Sequence, residues 1–123
     1  YLLLNKDKVT ARTKNLDFYQ PFKNNLRNII RIAKSYGVKV VVIPADINSK
    51  SHRKDLNYIK EGLSYYHKNI RQIIKEISLS ENIYLHENDI DKNFFVDHVH
   101  VNLDGQRQKA FQIFSFLKEN VLN

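Results

Sequence analysis

The 123 residues contain no cysteine, which excludes disulfides and thiol chemistry and leaves the compartment open. No apolar run approaches the ~20 residues of a membrane-spanning helix, and no signal-peptide pattern is visible. RNP-like aromatic motifs, zinc-finger spacing and helix-turn-helix signatures are absent, as are repeats and low-complexity tracts. Methionine is not the first residue. The chain opens at Tyr1 inside the apolar run "YLLL", which reads as a segment of something longer.

What is present fits one soluble globular domain spanning residues 1–123, with 42% hydrophobic and 27% charged residues. The net charge of +7 invites a nucleic-acid reading, because Lys and Arg neutralise phosphates. Their spacing argues otherwise: Lys23, Arg27, Arg31 and Lys34 fall on the solvated face of an amphipathic helix. No nucleic-acid partner is expected from this pattern. An acidic glycan or membrane surface competes for the same charge.

The hydrophobic pattern gives an alternating order. "YLLL" reads as the end of a buried strand, followed by the polar stretch "NKDKVTARTKN". Phe22, Leu26, Ile29, Ile30 and Ala33 recur at the helical period, with Pro21 confined to the first turn and Gly37 as the stop. "VKVVVIP" (38–44) is a β-branched run suited to a central parallel strand covered on both faces. The loop "ADINSKSHRK" then leaves the carboxyl end of that strand, the edge where open α/β sheets bind ligands. Leu56, Ile59, Leu63, Tyr66, Ile70, Ile73, Ile74 and Ile77 form a second helical stripe, with Gly62 a weak point. "NIYLHE" (82–87) is a short strand, and a last helix from Asn102 turns Ala110, Ile113, Phe114, Leu117 and Val121 inward. This order predicts an α/β fold with a parallel sheet and helices on both faces, incomplete at its amino-terminal side.

Chemistry gathers in "FFVDHVHVNLDGQRQKAF" (94–111). A histidine with an unperturbed pKa near ~6.5 is a natural general base, and it works best when a carboxylate accepts its Nδ1–H. Asp97 and His100 meet if the chain between them turns. Asn102 is a good N-cap, and with Gly105 it starts the helix that mounts the turn.

"FVDHVHVNLDGQRQKA" resembles the final block of SGNH (GDSL-type) esterases and acyl hydrolases, with an aspartate, a histidine three residues later, a glycine and a helix. The resemblance implies a flavodoxin-like three-layer sandwich. It implies catalytic roles for Asp97 and His100, with His100 as general base oriented by Asp97. The substrate class implied is an ester, such as an O-acetylated glycan or lipid, hydrolysed with neither metal nor organic cofactor. No Gly-Asp-Ser block occurs in these residues, so the nucleophilic serine would lie outside the chain and the 123 residues alone would be inactive. Asn5, after "YLLL", stands where the family's third block would supply an oxyanion donor, although Leu3 and Lys6 replace its glycine and aspartate.

Two alternatives remain at this level. His98 and His100 alternate like a metal-binding His-x-His pair, with Asp97, His86, Asp89 or Asp91 to complete a shell for a metal-dependent hydrolase. The chain could also be a non-catalytic α/β interaction module.

Overall fold

The computed structural model describes residues 5–48 and 60–122. The expected strand "YLLL" and the positions Ser49, Ser51, His52, Leu56 and Ile59 lie outside the described residues.

The polar stretch after "YLLL" contains a helix, α1 (Lys6–Lys14). Capping builds it rather than an apolar stripe. The Asn5 side chain accepts from the Asp7 and Lys8 amides at 3.0 and 3.2 Å. Asp7 in the first turn and Arg12 and Lys14 in the last suit the helix dipole. At its far end, the Thr13 carbonyl accepts from the Tyr19 hydroxyl at 2.6 Å and from Asn69 Nδ2 at 3.1 Å. A 3₁₀ turn (Leu16–Tyr19) leads into α2 (Gln20–Ser35), with Pro21 in the first turn. Gly37 takes φ +71° just past its end, where its amide reaches the Lys34 carbonyl and that of Val38 the Ala33 carbonyl.

Of the run 38–44, only β1 (Val41–Val42) is strand. It pairs in parallel with β2 (Tyr84–Leu85), with Val41 opposite Tyr84 and Val42 opposite Leu85. Between them runs α3 (Lys60–Ser80), and α4 (Leu103–Asn120) closes the chain. The core is Tyr19, Ile30, Ile73 and Ile77, with Phe22, Leu26, Val40, Ile70 and Ile83 packed on it. On the opposite face of β2, Tyr84 and His86 meet Phe116 of α4.

The three-layer α/β sandwich is therefore corrected: the described chain is mostly helical, with four helices and one two-stranded sheet. A strand buried on both faces needs neighbours on both edges and continuous helical cover. Val38 instead remains 53% exposed, and β1 pairs over two residues with β2 alone among the described residues. The inward face assigned to α4 is corrected too. Val121 is buried, but Phe114 is 62% exposed and Ala110 also faces solvent. Gly62 is not a weak point but a crossing point. It is buried inside an unbroken α3, and a Cβ there would lie 2.8 Å from Val9 Cγ1 of α1.

Candidate functional site

The carboxylate and imidazole singled out in the sequence meet in a small closed loop. A 3₁₀ turn (Lys92–Phe94) is capped by Asp91, whose side chain accepts from the Asn93 amide at 2.9 Å. Phe95 and Val101 then form an antiparallel bridge. The Val96 amide donates to the His100 carbonyl at 2.9 Å and the Asn102 amide to the Phe94 carbonyl at 2.7 Å. These bonds bring the ends of residues 96–100 together, giving the turn that an extended segment could not supply.

Asp97 organises the interior of that loop. Its Oδ1 accepts from the Val99 amide at 2.9 Å and the His100 amide at 2.7 Å. Its Oδ2 lies 2.7 Å from His100 Nδ1. The Val99 amide, then the His100 ring and the His100 amide, hold the Asp97 carboxyl far below the usual carboxylate range. An ionised carboxylate can only accept, so His100 Nδ1 carries the shared hydrogen and Nε2 is the open nitrogen. The His100 side chain is 73% exposed, against 25% for Asp97. The ring is presented to solvent while its orientation is fixed from below.

Two contacts mount the loop. Asn102 caps α4, its Oδ1 accepting from the Gly105 amide at 2.9 Å, as its position predicts. Gly105 is required by close approach: a Cβ there would stand 2.6 Å from Val101 Cβ and 3.0 Å from Phe94 Cβ. From the other side, the Asn48 amide donates to the His98 carbonyl at 2.8 Å, tying the segment after β1 to the loop. Sequence reasoning marked the segment after β1 as a ligand edge but did not find this clamp, because a backbone donor leaves no residue-type signature.

Beside the loop, at the carboxyl ends of both strands, lies a polar cleft of about 180 Å³. Asp46, Asn48, Arg71, Asn88, Asp89 and Lys92 line it. Lys109 of α4 pairs with Asp46 at 2.5 Å, and Arg71 donates to the Ala45 carbonyl at 2.9 Å. His100 is not among the residues lining it.

The other candidate residues are not gathered here. Asn5 caps α1 and has no hydrogen bond to Asp97 or His100 among the described residues. His86 Nε2 is 3.0 Å from Asn88 Oδ1, and its ring packs 4.7 Å from that of Phe116. The backbone amides of Asp89 and Asp91 are held by Gln112 and Gln108. Among the described residues no three His, Cys, Asp or Glu side chains converge as a metal site would require, so the His98/His100 shell is not assembled. Nor does any described serine hydrogen-bond to His100; Ser35 and Ser80 bond to carbonyls of their own helices.

Comparison with known proteins corrects the esterase resemblance. A family model described as "Putative phage abortive infection protein" (putAbiC) matches residues 58–122, more than half of the chain. No curated protein and no solved structure matches. The aspartate–histidine–glycine block that suggested an SGNH hydrolase lies inside the matched segment, and the described residues do not form the sandwich that such a hydrolase needs. A short Asp-x-x-His turn before a capped helix is a local solution that unrelated folds can reach, so it carries no family by itself. With α3, β2, the 96–100 loop and α4 all inside the match, the chain belongs to that family, putAbiC.

Proposed function

We propose that the chain acts in abortive infection, the response by which an infected cell stops supporting phage multiplication, and that Asp97 and His100 are its working acid–base pair. The family description supplies the first half of this reading. The second rests on one observation: an imidazole 73% exposed yet held at Nδ1 by a carboxylate that two backbone amides fix in turn. A surface histidine kept only for solubility has no need of such a mount. With Nδ1 donating to Asp97, Nε2 can take a proton from a group brought to it, or return one.

The experiment is a plating assay on cells expressing the encoded protein, with His100→Ala and Asp97→Asn beside it. Wild-type protein is expected to lower phage plating. His100→Ala is expected to restore plating to that of cells without the protein, at unchanged expression and circular dichroism. Full protection by His100→Ala would remove the pair from the mechanism, and failure of the wild type to protect would remove the role in phage restriction.

A further inference from the structure

A second site lies on other elements. Between α1 and the opening turns of α3 runs a groove of about 590 Å³, lined by Lys6, Lys60, Glu61, Ser64, Tyr65 and Lys68. Among the described lining residues three are lysines and one is acidic. Glu61 is engaged by Lys14 at 3.4 Å, and that same ammonium sits 4.6 Å from the centroid of the Tyr65 ring. The Tyr65 hydroxyl foremost, and Glu61 after it, raise the Lys14 pKa, so a fourth positive charge is kept beside the groove. Lys6, Lys60 and Lys68 have no carboxylate partner among the described residues.

Like charges are brought together here at a cost. Lys6 comes from α1, and Gly62 lets that helix close onto α3 at the turn that carries Lys60. Lys60 and Lys68 are eight residues apart on one helix, hence separated by ~12 Å along it. Such a row of unneutralised ammonium groups suits a ligand with negative charge repeated along its length. The hydroxyls of Ser64 and Tyr65 add donors for phosphate oxygens.

We propose that this groove binds the phosphate backbone of a single-stranded nucleic acid. A membrane surface is the less suitable partner. The site is concave, and among the described residues none of the large exposed apolar side chains that could enter a bilayer lines it. The overall charge of +7 adds long-range attraction for a polyanion. The proposal stands on the groove alone and does not depend on Asp97 and His100.

Fluorescence anisotropy of end-labelled oligouridine and oligodeoxythymidine, titrated with the protein over a range of salt, tests it. Each ammonium–phosphate contact contributes about 0.7 to the slope of log affinity against log salt for a single strand. The combined Lys6→Gln, Lys60→Gln, Lys68→Gln variant is expected to weaken binding on the order of tenfold at low salt and to flatten the slope by about two. Lys23→Gln, Lys75→Gln, Lys118→Gln removes the same charge elsewhere and is expected to leave most of the slope intact. Binding of either oligonucleotide with this pattern supports the proposal, and the stronger of the two identifies the sugar. Equal losses in both triple variants, an unchanged slope in the groove variant, or binding of phosphatidylglycerol vesicles without oligonucleotide binding would each overturn it. Circular dichroism on both variants separates lost contacts from lost folding.

Discussion

In the loop spanning residues 96–100 the groups that hold the imidazole come from the loop itself: one carboxylate, two amides and the bridge at its ends. The groove beside Tyr65 is the opposite, because Lys6 comes from α1 while Lys60 and Lys68 come from α3. The first site is a matter of local turn geometry. The second exists only while two helices stay pressed together. A single close-approach glycine serves each: Gly105 holds the loop against α4, and Gly62 holds α1 against α3.

Replacing each glycine should therefore damage one site and spare the other. Gly105→Ala is expected to have the larger effect. Its Cβ would stand 2.6 Å from Val101 Cβ, an atom fixed to the backbone, so the chain itself must move. Overpacking of this kind costs about 2 kcal/mol, read from urea unfolding, and His100 ring resonances in NMR spectra should shift while oligonucleotide affinity holds. Gly62→Ala meets the end of a side chain, Val9 Cγ1 at 2.8 Å, and regains some helix propensity. Its expected cost is about 1 kcal/mol. Here the oligonucleotide affinity should fall while the His100 resonances stay in place.

The smallest effect distinguishes the two sites by pH. The Asp97 carboxyl is held far below its ordinary value by the Val99 amide, the His100 ring and the His100 amide. A depressed folded-state pKa stabilises above the unfolded value of about 3.9 and loses that stabilisation as pH falls towards the folded value. The stability difference between wild type and Asp97→Asn should thus shrink as pH is lowered from about 5 through about 4. Thermal unfolding of both proteins across that range measures it. A gap that did not change with pH would mean the carboxylate charge contributes nothing to the loop.

The same contrast explains what could be seen in the sequence. Asp97, His100, Asn102 and Gly105 are close in the chain and chemically distinctive, so their arrangement was legible without any fold. Helix α2 was legible too, from its period, Pro21 and Gly37. The β-branched run 38–44 misled, because such a run records a preference for extended backbone but not how many neighbours the strand will find. Among the described residues only Val41 and Val42 found one. Helix α1 was invisible because caps and crossing contacts build it, not an apolar stripe. The basic residues read in one dimension as the solvated face of an amphipathic helix, and the crossing at Gly62 gathers three lysines from two helices. The esterase resemblance failed for a related reason: a local block can agree with a family whose sheet the rest of the chain does not make.

The pairing of Val41 with Tyr84 has a kinetic consequence. Helical turns close over a few residues, whereas this pairing must bring positions 41 and 84 together with all of α3 between them. The entropy of so long a closure makes such contacts slow to form compared with local ones. The two amides that complete the ladder, Tyr84 to the Val40 carbonyl and His86 to the Val42 carbonyl, share that cost. Asn48, six residues beyond β1, meets His98 across a comparable separation in the chain. The histidine loop closes its internal turn over a few residues, whereas its anchorage to the rest of the molecule carries the entropy of a long closure.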